Sequence, residues 1–385
     1  MLAALLACSN AYSVASGAAS GAHNSSALIA AWDDYVRDTQ AGAPRGLQRD
    51  CIPRRYAATG AFVGTAVLFH GFSACPQQYF DLASQLAASG YDVLLPLTIG
   101  HGKAVTEPST QRHLSSGGPV LCIKGCIGGV DDVEGLPTEP STYQPFVQRI
   151  NRIVALSPGV RLVAGLSLGA SLAAAAGEAV DSSGRALYTR QLIINPMLHL
   201  HPLKDIATTA LNQNRLTRAT FVGIPNCYTE RETGRAGFCS YTIANGAAAR
   251  DFGLSTLARL KAPNGTSVAV LYDEADDVVS TVPIRQLAAK YRAELGQNES
   301  ASCVLPFTMH SFFSPYDNVP VNKWWTNEVD CAMVAFLARG KPFALGRRDW
   351  PEGNDPFCHL ECNATRCPYD RHAPIVCPFL PPRLE

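Results

Sequence analysis

Apolar positions along the chain fall into short compact runs, separated by stretches that repeat at helical spacing. Thr65–Phe69 (TAVLF) is one such run, ending at His70-Gly71, and has the character of a strand buried on both faces. Asp81–Ser89 places its apolar residues at helical spacing and stops at Gly90. Tyr91–Leu95 (YDVLL) is the next strand, Tyr143–Leu156 a helix closed by Pro158-Gly159, and Arg161–Gly165 another strand. Leu168–Val180 is an Ala-rich helix. Gln191–Ile194, Ser267–Tyr272 and Cys303–Phe307 supply three further strands, and Asn322–Ala338 a late amphipathic helix. Strands that alternate with helices need parallel crossovers, which cover a sheet on both faces. The pattern predicts an α/β fold with a mostly parallel central sheet.

Several stretches break this rhythm and set the expected organisation. Residues 1–45 are Ala/Ser/Gly-rich and read as a leader plus an N-terminal extension holding a short helix around Leu28–Arg37. A main domain is expected over 46–340. Within it, 103–139 hold Cys122 and Cys126 amid Gly and Pro, an ordered loop, and about 197–262 separate two core strands, the natural place for a cap. Residues 341–385 form a Cys/Pro-rich tail with Cys358, Cys362, Cys367 and Cys377. No internal repeat is visible.

Composition narrows the picture. The 385-residue chain is 47% hydrophobic and 17% charged, enough for a substantial core. Lys+Arg and Asp+Glu balance at 32 each, so charge gives no reason to expect nucleic acid or an acidic membrane as partner. Thirteen cysteines are many for a reducing compartment. Leaving Cys8 aside, the rest are even in number; Cys227–Cys239, Cys303–Cys331 and Cys122–Cys126 are expected pairs by proximity, with Cys51–Cys75 a further pairing. Leu2–Ala7 is apolar without a preceding basic region and reads as a truncated or atypical signal peptide, while Leu5-Leu6-Ala7-Cys8 also resembles a lipoprotein cleavage box that makes Cys8 a candidate lipid anchor; either way the cysteine count argues for export. Sequons occur at Asn24, Asn264, Asn298 and Asn363 and add little. The most apolar segment, Leu162–Gly177, is interrupted by Gly165, Ser167, Gly169 and Ser171 and does not read as a transmembrane helix. Nothing in the composition bears on oligomeric state.

The interruption is itself the strongest chemical signal. Gly165-Leu166-Ser167-Leu168-Gly169 matches G-x-S-x-G, follows a strand and opens a helix, as a nucleophile elbow requires. Glycines flank the serine because larger side chains would meet the neighbouring strand and helix. A serine hydroxyl needs a base, and in this arrangement the acid and then the histidine follow the serine in the chain. Of the later histidines, His199 and His201 precede every suitable acid, and His359 and His372 lie in the tail. His310, just past a strand, is the expected base. The acid comes from Asp273-Glu274-Ala275-Asp276-Asp277; Asp276 is preferred, with Asp277 and Asp273 as alternatives. Oxyanion donors are expected from the backbone amides of Leu168 and Phe72, with His70 structural in the latter turn.

The run Leu68–Gly102, with its His70-Gly71-Phe72 and its Pro96-to-His101-Gly102 segment, resembles bacterial carboxylesterases and monoacylglycerol lipases of the α/β-hydrolase superfamily. The elbow and Tyr272–Ser280 resemble that family too, over roughly 62–338 in order and spacing. The resemblance implies an α/β-hydrolase fold, a Ser167–His310–Asp276 triad, oxyanion amides at Phe72 and Leu168, no cofactor or metal, and a small-molecule or lipid ester as substrate. Asp273 stands where the family usually has glycine, the loop after Gly102 is much longer, and the tail is extra, so substrate identity does not transfer. A serine peptidase of the same superfamily is the alternative enzyme, and a non-catalytic binding protein on this scaffold the alternative class. For the tail, a zinc site at Cys358, His359, Cys362 and Cys367 is the alternative to disulfides.

Overall fold

The structure of the chain, a computed structural model, describes residues 26–103, 133–214, 217–224, 227–232, 234–274, 276–296, 300–305, 310–311, 314, 326–341, 344–345 and 375–376. Cys8, the Cys122–Cys126 pairing, His359, His372 and the cysteines of the tail lie outside the described residues.

In chain order, α1 (Ser26–Ala41), β1 (Arg54–Tyr56), β2 (Gly64–Phe69), α2 (Phe80–Ala88) and β3 (Tyr91–Leu95) come first. They are followed by α3 (Tyr143–Ala155), β4 (Val160–Leu166), α4 (Leu168–Gly177) and β5 (Arg190–Ile194). Then come α5 (Pro202–Gln213), β6 (Phe221–Gly223), α6 (Cys227–Glu232), β7 (Ser240–Thr242) and α7 (Ile243–Arg259). The chain continues with β8 (Ser267–Asp273), α8 (Thr281–Leu295), β9 (Ser300–Leu305) and α9 (Thr326–Arg339).

Seven strands form one sheet in the order β1-β3-β2-β4-β5-β8-β9. Only β1 runs antiparallel, pairing Arg54 with Leu95; the other neighbours are parallel. All six residues of β2 are buried, as expected of a parallel strand with helices on both sides. Alternation along the strands sorts the core into two. Val67, Phe69, Val163, Ile193 and Val270 join α1, α3, α4, α7 and α8, whereas Ala66, Leu68, Ala164, Leu192 and Leu271 join α2 and α9 on the opposite face.

The N-terminal helix is longer than its periodicity predicts and is a core element by packing. Leu28, Trp32 and Tyr35 are buried, and burying side chains of this size is worth roughly 2 kcal/mol each. Tyr35 Oη donates to Leu97 O (2.8 Å) and accepts from Leu97 N (3.1 Å), tying α1 to the segment after β3. Three features differ from the sequence expectation. β1 (Arg-Arg-Tyr) has no apolar alternation and exists through its ladder to β3. α8 has no counterpart in the apolar pattern of the sequence, because it buries only Pro283, Ile284, Leu287 and Tyr291, a narrow stripe. β9 starts at Ser300, ahead of the apolar run, because the register Val268↔Ser300 to Asp273↔Leu305 extends it towards the N-terminus.

Candidate active site

β2 and β4 end together, with Phe69 opposite Gly165, so the turns that follow them lie side by side at the carboxyl edge of the sheet. Ser167 follows β4 at φ 58° and ψ −121° and is 3% exposed. That backbone conformation is costly for a residue with a Cβ and persists only where its surroundings fix it. Ser167 N donates to Ile194 O (2.9 Å), and Ser167 O accepts from Met197 N (3.0 Å) and Ala170 N (3.0 Å). The flanking glycines are required sterically: a Cβ on Gly165 would sit 2.0 Å from Gly169 O, and one on Gly169 1.9 Å from Phe69 O.

Two strands away, β8 runs into the Asp273–Asp277 segment. Asp276 N donates to Asp273 O (3.3 Å), and Asp276 Oδ1 accepts from the amides of Val278 (2.7 Å) and Val279 (2.9 Å). The other carboxylate oxygen, Oδ2, lies 2.7 Å from His310 Nδ1. Burial opposes ionisation of this carboxyl, but the His310 ring and the amides of Val278 and Val279 outweigh it and hold Asp276 below its ordinary range. An ionised carboxylate can only accept, so Nδ1 carries the proton that faces it, and in the neutral ring Nε2 is then the lone-pair nitrogen. Of the competing aspartates, Asp277 is exposed and 3.7 Å from Lys204 Nζ, and Asp273 is buried with its amide on Asn195 Oδ1 (3.0 Å). The structure brings Asp276 and His310 together and keeps Asp277 away.

The turn after β2 closes the site. An ideal Cβ on Gly71 would lie 3.5 Å from Ser167 Cβ, so this turn abuts the serine. Gly71 N donates to Gln78 Oε1 (2.8 Å), and the next amide along the turn belongs to Phe72. His70 Nε2 accepts from Thr98 N (3.0 Å) and its Nδ1 donates to Gly71 O (2.9 Å), a buried, structural histidine. Leu168 N is the first amide of α4, and such amides have no acceptor within their helix. The Phe72 ring packs edge-on against Phe238 (5.1 Å), Tyr241 (5.0 Å) and His101 (5.8 Å).

No family model and no curated protein matches the sequence. Solved structures are similar to it. A monoacylglycerol lipase from Paleococcus ferrophilus superposes with a TM-score of 0.52 at 16% identity, over 75% of this chain and 98% of that one. A structure reported for the metagenome-derived lipolytic enzymes LipS and LipT gives 0.51 at 18% identity, over 77% and 100%. The chain has the α/β-hydrolase fold.

Within this fold, the described residues with positive φ that are not glycine are Ser73 (71°), Ser167 (58°) and Asn195 (41°). Only Ser167 was singled out by motif. Ser73 is held by the segment between β5 and β8. Arg235 Nη2 donates to Ser73 Oγ (3.0 Å) and Ser73 O (3.3 Å), and Arg235 Nε pairs with Glu230 (3.3 Å), both side chains 5% exposed. Gln77, in the same turn, donates to Gly234 O (2.8 Å) and accepts from Ala236 N (2.8 Å). Disulfides Cys51–Cys75 and Cys227–Cys239 brace the two sides of this contact, and Cys303 and Cys331 are also disulfide-bonded. The Cys227–Cys239 and Cys51–Cys75 pairings agree with the sequence reading, whereas no local pattern signals the Arg235 and Gln77 bonds. Among the described residues no group of three or more His, Cys, Asp or Glu could hold a metal, and no helix is long and apolar enough to cross a membrane.

Proposed function

We propose that this α/β-hydrolase cleaves carboxylic esters through an acyl-enzyme, with Ser167 as nucleophile, His310 as base and Asp276 as its partner. The observation that carries the reading is the 2.7 Å contact between His310 Nδ1 and Asp276 Oδ2 at the edge of the sheet that also presents the strained Ser167. His310 Nε2, left as the lone-pair nitrogen, takes the Ser167 proton as Oγ attacks the ester carbonyl, and returns it to the departing alcohol oxygen. Water then attacks the acyl-enzyme with the same nitrogen as base, releasing the acid. Asp276 stays ionised and stabilises the imidazolium. The amides of Phe72 and Leu168 donate to the oxyanion. Residues 197–262 act as the cap over the ester's entrance. The lipolytic activities named for the two similar structures support an ester substrate, and the disulfides support export to an oxidising compartment.

Ser167→Ala folds as wild type and loses at least roughly a thousandfold in kcat on short-chain p-nitrophenyl esters, because binding and oxyanion stabilisation alone leave residual catalysis. Wild-type protein, and not the variant, is labelled by a fluorophosphonate probe. Full activity of Ser167→Ala contradicts the assignment, and faster turnover of aminoacyl-nitroanilides than of esters turns it towards a peptidase.

A further inference from the structure

Asn195 follows the last residue of β5 and is completely buried, in a left-handed conformation (φ 41°). Its backbone N–H donates to Leu271 O (2.8 Å), continuing the β5–β8 ladder one step beyond the strand. Its side chain uses both ends of the amide. Oδ1 accepts from Asp273 N (3.0 Å), and Nδ2 donates to His310 O (2.8 Å). With the Asp276 N to Asp273 O bond (3.3 Å) and the His310 Nδ1 to Asp276 Oδ2 contact (2.7 Å), these bonds form a closed ring through Asn195, Asp273, Asp276 and His310. Within the ring, His310 is held at two points: its carbonyl by Asn195 and its ring by Asp276. The residue before Asn195, Ile194, accepts the amide of Ser167 (2.9 Å). The Asn195 side chain therefore ties the main chain of His310 to the end of β8, while the backbone of β5 just before it holds the serine turn that follows β4.

We propose that Asn195 is a positioning residue of the reaction, acting through His310, an inference that rests on the triad reading above. Asn suits the post because it tolerates the left-handed region better than most residues other than glycine and supplies one donor and one acceptor at the reach required. Aspartate would keep the acceptor for Asp273 N and place a carboxylate against the His310 carbonyl. Glycine would keep the backbone conformation and remove both bonds. Small misplacements of a reacting group cost up to about a hundredfold in rate.

The test compares Asn195→Gly and Asn195→Asp with wild type, using p-nitrophenyl butyrate turnover and the low-field proton resonance of an imidazole N–H held by a carboxylate. Both variants are expected to lose about tenfold to a hundredfold in kcat with KM changed less than twofold. The low-field resonance should shift or broaden, and the acid limb of the kcat/KM profile should move. A residue serving the fold alone lowers the melting temperature and leaves the resonance and the pH limb in place. Folded variants with wild-type kcat, resonance and pH limb overturn the proposal, and so does failure of both to fold, which assigns Asn195 to the fold. Ser167→Ala, run beside them, separates the two levels. If it stays active the triad reading fails, while the resonance still reports whether Asn195 holds His310.

Discussion

Buried polar side chains carry the behaviour of this protein at the scale of single residues. His101 is 2% exposed, donates from Nδ1 to Ile99 O (3.0 Å), and lies among the rings of His70, Phe72 and Phe238. Burial disfavours its charged form and lowers its pKa from 6.5 to about 4. The folded state therefore resists a proton that the unfolded chain accepts. Stability is fully present above pH 6.5 and falls as pH drops from about 6.5 towards about 4. At about 1.4 kcal/mol per pH unit the loss approaches about 3 kcal/mol. Denaturant unfolding at pH 7.5 and pH 4.5 should show a smaller difference for His101→Gln than for wild type; equal differences would mean that another group carries the acid sensitivity. Asp276 is the contrasting case, since its depressed pKa places its own contribution at still lower pH.

Among elements, the contact between the turn after β2 and the segment holding Glu230 and Arg235 decides how the turn beside Ser167 is held. Arg235 and Glu230 are both buried there, and Arg235 reaches the backbone and hydroxyl of Ser73. A buried pair adds little over apolar packing, but removing one member leaves the other charge in a dry environment. Arg235→Met is expected to cost about 3 kcal/mol or more, read from the denaturant midpoint, and Arg235→Met/Glu230→Leu together to cost clearly less than the sum of the two single changes. Additive losses would show that the pair is not coupled. A second contact anchors the same stretch of chain: α7 packs through Ala248, Ala249 and Phe252 on the core beside α4.

For the whole molecule, covalent links fall around the site. Cys51–Cys75 ties the chain ahead of β1 to the turn after β2 across 24 residues, and Cys227–Cys239 closes the segment that docks on that turn. Closing loops of this length is worth about 2–4 kcal/mol, chiefly by restricting the unfolded chain. Cys51→Ser/Cys75→Ser should lower stability by that amount and leave the folded sheet intact by circular dichroism. Protein from its own compartment, denatured without reductant, should yield few free thiols, and near-complete alkylation would contradict an oxidising destination.

The sequence by itself determined the α/β class, the parallel strands from β2 to β8 and the strand–turn–helix setting of Ser167, because these depend on neighbours a few residues apart. Apolar runs need a covered sheet, and glycines at 165 and 169 are demanded by the turn itself. It also brought the choice of acid to three aspartates within five residues, with Asp276 preferred among them. Tertiary structure shows that of the three it is Asp276 whose carboxylate meets the His310 ring, because the end of β8 and the place of His310 set which side chain reaches it. It alone revealed Asn195, whose partners lie 78 and 115 residues away, and Arg235, which reaches back 162 residues to Ser73. Such bonds depend on where strands end relative to one another in the sheet, a property of the folded register that leaves no periodic trace along the chain.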